Sequence, residues 1–570
     1  MVNWPILSLT SFALLLLSTL LLTTGWSSYF LFAAPLLVTS VLLLSTSLYL
    51  ESDTYYRDTH KDRPFTKKEI LSLLGIVCIG MILRLQDLHI FPYPYGVLSI
   101  EEAQGGSLSS KVYEGTSYPW EFIVEYCLGA LGMSIWGHDN LFSIRFAFAT
   151  FNGLMPIAFH ILARQLVSPL VAFFCSGLLA VSHWELYYAR HGHTSFPPVF
   201  WVLILFSACV YLWRCSAIFV SPVIGFLTGY TLFCYAGYRG VPIFVSLFLI
   251  YNGYLIYRRG NKLEFRDYKI SIGIAFFVFL CMVSILLGRI GSDYRHFYES
   301  ISRSYANVEY FPEVWSDWFS LRFIRMKQAL GIFSITGDTE VGYNLPKEPM
   351  LDVITAMLFY ISLVYCFIKK LRFPYGFFMS FYWVTFFLGL VLLTHSFVVC
   401  RISVTVPFLF LIISFAIDEF HKKFQKFSRY VLSFLLVCVF VLNYNIYERE
   451  KNGSEAKYFM TSNIYLNIIE QMNLLGKDKE FYILSDADNL CSGSDFSWMV
   501  KEYKCNNIKS LSEIPNKLRK QRFYIIMQGA YNKKEIYNQI EYEFSTKCVK
   551  IPHDYPALSP SICVVEPYHE

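Results

Sequence analysis

Long apolar stretches recur along most of this chain, and they constrain its fold more than any other feature. Each is about 18–22 residues long, enough to cross the ~30 Å hydrocarbon core of a bilayer as a helix. Of the 570 residues, 55% are hydrophobic and only 16% are charged, whereas a soluble protein of this length carries more charge. We therefore predict a polytopic α-helical membrane protein. Its net charge of +5 sits mainly in short loops, which argues against nucleic-acid binding.

The hydropathy pattern predicts about 13 transmembrane helices. We interpret the first apolar run as a membrane helix, because it lacks the basic start and cleavage site of a signal peptide. The predicted spans are 8–25, 28–50, 69–87, 140–163, 168–184, 196–214, 217–234, 239–257, 270–288, 351–369, 374–394, 400–418 and 428–446.

Lysine and arginine are concentrated in a few loops between these spans. The positive-inside rule makes such loops cytoplasmic, which places the N-terminus inside and the C-terminus outside. The basic loops are 51–68, 258–269, 369–372 and 422–429. The segments predicted to lie outside are 88–139, 185–195, 235–238, 289–350, 395–400 and 447–570.

One apolar segment, 121–137, would invert every later loop if it crossed the membrane. It is short and contains Glu121 and Glu125. We predict an interfacial or re-entrant helix here, and a true span with a compensating error elsewhere is the alternative.

The pattern divides the chain into three domains. Residues 1–68 hold two extra spans and a basic loop, 69–446 form the transmembrane core, and 447–570 form a small external α/β domain. In this tail, strands are predicted at 481–484 and 522–527, and helices at 495–504, 512–520 and 532–541. Cys491, Cys505, Cys548 and Cys563 lie on the oxidising side in this topology, which allows two disulfides. The other ten cysteines are predicted to be small apolar fillers.

Two adjacent acids, Glu101 and Glu102, follow a Pro/Tyr/Gly-rich turn after the third span, in a predicted external loop. Neighbouring like charges raise one pKa, which suits a general base near neutral pH. A solvated acidic loop is the simpler alternative. The position beside a span end, where ionised groups are costly, favours chemistry at the membrane surface.

Several arginines map to the outer ends of spans, where the positive-inside rule expects few cations. A guanidinium group binds phosphate through two parallel hydrogen bonds, so the set indicates an anionic lipid headgroup. For any single arginine, snorkelling or an internal salt bridge is the alternative. These residues are Arg84, Arg145, Arg190, Arg239, Arg289 and Arg401.

Two external segments add candidate binding residues. His191 and His193 form a His-x-His pattern, a weak metal signal, so hydrogen bonding to substrate or loop backbone is the preferred role for His191. The loop 289–350 is too long for a mere connection, and it contains Tyr343 and Asn344, which are residue types that bind sugars. An ordinary capped loop is the alternative there.

Taken in order, these pieces resemble the GT-C type of polyprenyl-phosphate-sugar-dependent glycosyltransferases. That family includes protein O-mannosyltransferases and the bacterial transferases that add aminoarabinose to lipid A. Its pattern is an arginine ending the first core span, a Pro/Gly-containing loop, an acidic pair, further arginines and a late N-x-P-x-x-P stretch. The resemblance covers roughly 69–420. The residues that carry it are Arg84, 92–96, Glu101, Glu102, Ala103, Arg145, Ala189, Arg190 and 344–349.

The sequence departs from that pattern in three places. The first acid is Glu101 where the family has Asp, and a longer side chain moves the base by about one bond. Thr194 and Ser195 stand where many relatives carry another carboxylate after the loop arginine. Two extra spans precede the core.

The resemblance implies sugar transfer from a polyprenyl-phosphate-linked donor to a lipid, glycan or protein acceptor on the external face. It implies Glu101 as base and Glu102 as an orienting group, with the arginines, His191, Tyr343 and Asn344 binding the lipid phosphate or the sugar. No cofactor is assigned, and a divalent cation is left open. The expected location is the bacterial inner membrane. A transporter or flippase, or a non-catalytic cell-envelope assembly protein, is the alternative.

Overall fold

The computed structural model describes most of the helical part of the chain and the strands of the tail. The described residues are 4–24, 26–52, 65–88, 100–116, 123–137, 141–192, 194–215, 217–292, 315–338, 348–369, 372–392, 399–452, 472, 479–485, 504–508, 514, 523–528, 548–550 and 561–565.

Helices follow one another along the described part of residues 4–452. In chain order they are α1 (Trp4–Thr24), α2 (Trp26–Ser52), α3 (Lys67–Leu85), α4 (Ile100–Tyr113), α5 (Ile123–Trp136), α6 (Leu141–Gly153), α7 (Met155–Arg164), α8 (Pro169–Val181), α9 (His183–Arg190), α10 (Pro197–Cys215), α11 (Ser221–Tyr230), α12 (Val241–Arg258), α13 (Lys262–Ser292), α14 (Trp315–Gly331), α15 (Val353–Lys369), α16 (Tyr375–Phe387), α17 (Val406–Lys423) and α18 (Gln425–Asn452). Short 3₁₀ and π turns lie at Ile218–Val220, Ala236–Tyr238, Leu388–Leu392 and Val399–Thr405.

Within the described residues every predicted span overlaps at least one helix, which confirms a polytopic helical membrane protein. Within the described ranges, nine helical stretches are long and apolar enough to cross a bilayer, or ten if α8 and α9, bent by 53°, form one span. The total of 13 spans and the membrane side of each loop stay predictions.

Several segments predicted as loops are helical instead. Glu101 and Glu102 lie in the first turn of α4, and residues 185–190 belong to α9. Helix α13 already begins at Lys262, inside the predicted basic loop, after a turn in which Gly260 has a φ of +75°. Helix α14 occupies part of the long segment 289–350. These helices or helix ends are short or polar, so a hydropathy window tuned to membrane spans does not show them.

Helix α5 lies within the apolar segment that was predicted to be interfacial or re-entrant. Its 14 residues rise about 21 Å, which is short of the ~30 Å hydrocarbon core. It packs between α4 and α6. A Cβ atom on Gly132 would overlap the backbone carbonyl of Ser143, so only glycine allows this close approach of α5 to α6.

The helices differ strongly in how far they are enclosed. The stretch Val399–Lys423, which contains α17, is 89% buried and forms the centre of the bundle. The two extra N-terminal helices are only 28% and 33% buried over their apolar windows, and they pack on α11 and α13. The N-terminal pair is therefore peripheral to the core.

The tail contains a five-stranded mixed sheet in the order β2-β1-β3-β5-β4. Its strands are β1 (Glu480–Ser485), β2 (Lys504–Ile508), β3 (Phe523–Gln528), β4 (Cys548–Lys550) and β5 (Ser561–Val565). Both predicted strands are confirmed. Phe481, Tyr482 and Ile483 are all buried, and because successive side chains point to opposite faces, both faces of β1 are covered. The predicted tail helices lie almost entirely outside the described residues, but Lys504 belongs to β2 and not to a helix.

The cysteines follow the predicted division between core and tail. Cys505 is disulfide-bonded. The Cα atoms of Cys548 and Cys563 are paired in the antiparallel β4–β5 register. All ten cysteines of the helical part are free thiols, and most of them are buried. The prediction that Cys505 takes part in a disulfide is therefore confirmed.

Candidate functional site

The acidic pair lies beside the loop that follows α9. Glu101 and Glu102 occupy the first turn of α4, where carboxylates are favoured by the positive end of the helix dipole. One helical turn later, a Cβ atom placed on Gly105 would lie 3.6 Å from the carbonyl oxygen of Gly192. The acid-bearing turn is thus close to the segment that carries Arg190 and His191. The side chains of the two acids lie outside the described part of the chain.

Arg84 and Glu185 form an ion pair in which both side chains are fully buried. Arg84 also donates hydrogen bonds to the carbonyl oxygens of Gly80 at 2.8 Å and Ala180 at 3.0 Å. These contacts join the end of α3 to the break between α8 and α9. Glu185 was missed by the sequence reasoning, although an acid within the mostly apolar stretch His183–Arg190 was the available signal.

Arg190 is fully buried against the end of α3. Its guanidinium donates to the carbonyl oxygens of Leu83 at 2.6 Å and Gln86 at 2.7 Å, and to the hydroxyl of Tyr447 at 2.5 Å. The same guanidinium lies 4.7 Å above the Tyr447 ring, a cation–π distance. Arg190 therefore ties α9 to α3 and to α18.

Arg145 contributes a third buried guanidinium to the same place, donating to the carbonyl oxygen of Leu88 at 3.1 Å. Nδ1 of His191 lies 2.8 Å from the carbonyl oxygen of Tyr187, whose ring stacks on the imidazole. The structure thus gathers Arg84, Arg145 and Arg190 around backbone carbonyls at residues 80–88 and 180. A phosphate-binding role for these three stays a prediction.

Arg239 and Arg401 lie on two short turns that pack against each other. A Cβ atom on Gly237 would lie 2.8 Å from the carbonyl oxygen of Arg401, so glycine is needed for this approach. The Tyr238 hydroxyl donates to the carbonyl oxygen of Ser195 and lies 2.9 Å from the Ser403 hydroxyl, which fixes both turns. Arg239 and Arg401 are only half-buried, so they are accessible to a ligand, unlike the first three arginines.

Two arginines of α14 lie near Arg401, and we call Arg322, Arg325 and Arg401 the arginine cluster. Arg322 donates to the carbonyl oxygen of Val391 at 2.7 Å. Burial and the nearby charges of Arg322 and Arg401 lower the pKa of Arg325 below its usual range. Cations held this close together attract an anion. Both α14 residues were missed because only arginines at span ends were considered.

The late N-x-P-x-x-P stretch is anchored at its last residue. The carbonyl oxygen of Pro349 lies 2.9 Å from Nε2 of His183, whose Nδ1 lies 2.9 Å from Oδ1 of Asn443. Asn443 in turn donates to Asp352, the residue that precedes α15, at 2.8 Å. Tyr343, Asn344, Arg289 (as a side chain) and His193 lie outside the described residues.

Glu125 is a fully buried carboxyl group in α5 that the sequence did not mark as functional. Its Oε1 accepts a hydrogen bond of 3.0 Å from the Tyr230 hydroxyl. Its Oε2 is buried with no hydrogen-bond partner. Burial raises the pKa of Glu125 to about 7, so the neutral form is strongly populated in the folded protein near pH 7.

Within the described residues, no three His, Cys, Asp or Glu side chains lie close enough together to hold a metal ion. A divalent cation at the site stays a prediction.

No protein-family model matches the chain, and no curated protein matches it in sequence. Among solved structures it is similar to ArnT from Cupriavidus metallidurans bound to undecaprenyl phosphate, with a TM-score of 0.50 and 11% identity over 88% of this chain and 98% of that one.

Two further solved structures are similar at lower scores. One is the archaeal oligosaccharyltransferase AglB from Archaeoglobus fulgidus, in complex with an inhibitory peptide and a dolichol-phosphate (TM-score 0.43, 10% identity, 84% of this chain and 70% of that one). The other is the arabinosyltransferase EmbB from Mycobacterium smegmatis (TM-score 0.41, 14% identity, 68% of this chain and 34% of that one). The similarity to ArnT confirms the resemblance at the level of the fold, and the chain has the fold of the GT-C membrane glycosyltransferases.

Proposed function

We propose that this protein is an integral-membrane glycosyltransferase that moves a sugar from a polyprenyl-phosphate carrier to an acceptor hydroxyl on the external face of the membrane. The observation that carries the proposal is the arginine cluster, in which Arg401 is half-buried, in a chain of this fold. Helix α14 and the Arg401 turn bring these guanidinium groups together, and a hydrogen bond from Arg322 to the carbonyl oxygen of Val391 holds one of them in place. Preorganised cations stabilise negative charge that develops on a leaving phosphate.

The reaction is a direct displacement at the anomeric carbon, with inversion. The acceptor oxygen forms the new bond to that carbon while Glu101 takes its proton. The bond between the anomeric carbon and the carrier's phosphate oxygen breaks, and its electrons stay on the phosphate among the arginines. Glu102 orients the loop, the sugar or the acceptor. Arg84, Arg145 and Arg190 bind carbonyl oxygens of residues 80–88 and so set the position of the end of α3.

A lipid-linked substrate requires space next to the membrane-spanning helices. A cavity of about 480 Å³ lies between the start of α15 and the end of α18. An ion pair of 2.9 Å between Arg449 and Glu348 lies at its edge, and Met357, Leu442 and Ile446 form its apolar wall. The apolar wall suits part of the carrier's hydrocarbon tail. ArnT, the protein of similar fold, was solved with undecaprenyl phosphate bound.

The bacterial inner membrane, with the tail outside, is the proposed location. The disulfide at Cys505 supports an oxidising compartment for the tail, since disulfides are rare in the cytosol. The basic loops support the same orientation.

The test is incubation of the purified protein with a panel of radiolabelled polyprenyl-phosphate sugars and candidate acceptors. The proposal expects release of the carrier and label on an acceptor, and loss of both in Glu101→Gln with folding and lipid binding retained. Label that crosses a sealed vesicle without transfer indicates a transporter or flippase. If the panel shows neither sugar transfer nor transport, the protein is an assembly protein. Full activity of Glu101→Gln rules out Glu101 as the base.

A further inference from the structure

Helix α5 connects the acid-bearing part of the site to the rest of the bundle. On one side a Cβ atom on Gly129 would overlap the side chain of Ser109 in α4, so the two helices are in close contact. On the other side the same helix packs tightly on α6 at Gly132. The helix that carries Glu101 and Glu102 is therefore tightly packed on α5, which is itself tightly packed on α6.

Glu125 lies one helical turn before Gly129 and reaches a different element. Its carboxyl accepts the hydrogen bond from Tyr230, the last residue of α11. The chain continues from Tyr230 directly into the turn that carries Arg239 and packs on the Arg401 turn. This hydrogen bond thus joins α5 to the end of the helix from which the chain leads to the turn packed on the Arg401 turn.

A fully buried carboxyl group is an unusual choice for a hydrogen bond that only stabilises the fold. A buried carboxyl with one oxygen lacking a partner is costly, and a leucine or methionine would fill the same space at lower cost. No cation of the described chain forms an ion pair with Glu125. The titratable groups that interact with it are Cys127 on its own helix and Tyr230, Cys234 and Tyr238, with Arg239 acting on Cys234.

We propose that Glu125, through its hydrogen bond to Tyr230, is a positioning residue that keeps the acid-bearing helices α4 and α5 in register with the arginine-bearing turn after α11. The neutral carboxyl fulfils this role, because an ionised one would place an uncompensated charge in an enclosed site. The inference rests on the proposed transfer reaction for its effect on rate, but the mechanical link exists without it.

The first experiment measures the link independently of activity. Amide hydrogen exchange of α4 and of residues 231–240 is compared between the wild type, Tyr230→Phe, Glu125→Leu and Glu125→Gln. We expect exchange about tenfold faster in both segments for Tyr230→Phe and Glu125→Leu. Glu125→Gln keeps an acceptor for Tyr230 and should exchange like the wild type. Ser134→Ala, an exposed change on the same helix, is the control. Unchanged exchange in Tyr230→Phe and Glu125→Leu overturns the proposal.

The second experiment measures transfer from whichever labelled carrier the wild type accepts. Tyr230→Phe and Glu125→Leu should lose about tenfold in kcat with the KM for the carrier nearly unchanged, because geometry and not carrier binding is affected. Glu125→Gln should retain the rate and lose any decline in rate above about pH 7 that comes from ionisation of this carboxyl. A loss confined to KM, or a Glu125→Gln variant as poor as Glu125→Leu, contradicts the proposal. A wild type with no transfer refutes the proposed function and leaves the exchange result to decide the link.

Discussion

The buried pair Arg84–Glu185 gives the sharpest test of whether an arginine predicted to bind phosphate organises the protein instead. Glu185→Gln removes the only ion-pair partner that Arg84 has in the described chain and leaves its charge enclosed. Removing one member of a buried pair costs about 3–5 kcal/mol. Arg84 keeps its two bonds to the Gly80 and Ala180 carbonyls, so we expect about 3 kcal/mol. That is about a hundredfold change in the folded-to-unfolded ratio.

The matched variant is the double replacement Arg84→Met with Glu185→Met. Replacing a buried pair by apolar side chains of similar volume is often neutral or stabilising, so most of the lost stability should return. The free energy of unfolding is measured by denaturing titration in mixed detergent micelles, and sugar transfer is measured on the same samples. If Arg84 only organises α3, α8 and α9, the double variant also regains transfer.

Two results would show that Arg84 has a different role. A Glu185→Gln variant as stable as the wild type would mean that the pair is not the enclosed contact described above. A double variant that is stable but binds no carrier would indicate that Arg84 binds the carrier's phosphate.

Other expected outcomes follow from single features. Gly132→Val should destabilise the protein by about 1–3 kcal/mol in a thermal-unfolding assay, because the new side chain overlaps the Ser143 carbonyl. Gly273→Ala meets open space in a helix and should be neutral or slightly stabilising in the same assay. Equal melting temperatures of the two variants would contradict the close packing of α5 on α6. Burial raises the pKa of Glu125 from 4.5 in the unfolded chain to about 7 in the folded protein, so between these pH values the folded protein binds more protons. The free energy of unfolding should therefore fall by about 3 kcal/mol as pH rises from 4.5 to 7, relative to Glu125→Gln. Parallel curves for the two proteins would show that this carboxyl is not enclosed. Non-reducing peptide mapping should find Cys505 in a disulfide and Cys548 linked to Cys563, which their register places opposite each other; free thiols at both of the latter refute that pairing.

The positions of the helices could be predicted because membrane insertion imposes one strong rule, a long apolar stretch for each crossing. The same rule does not predict helices that do not cross the membrane. It missed α4 and α14 and the continuation of α8 into α9. It also gave no sign of the 53° bend after α8, beside which the Ala180 carbonyl accepts from Arg84 and the His183 amide donates to Asn443.

The residue types of the site were predictable, but their grouping was not. The sequence marked Arg84, Arg190 and Arg401 alike, as arginines at span ends. The structure encloses the first two among carbonyls and leaves Arg401 half-buried beside Arg325 of α14. This division depends on packing between distant segments, which a pattern along one chain does not contain. In the sequence, Glu125 served only as an argument that 121–137 does not cross the membrane.

If the arginine cluster holds the carrier's phosphate, its loss must raise the dissociation constant for undecaprenyl phosphate, which is the quantity to measure. Arg401→Met should weaken binding about 10- to 150-fold, the range for a lost hydrogen bond to a charged group. Arg266→Met, a change to an exposed arginine of α13, should leave binding unchanged. Equal affinity of Arg401→Met and the wild type, with both folded, would contradict the claim.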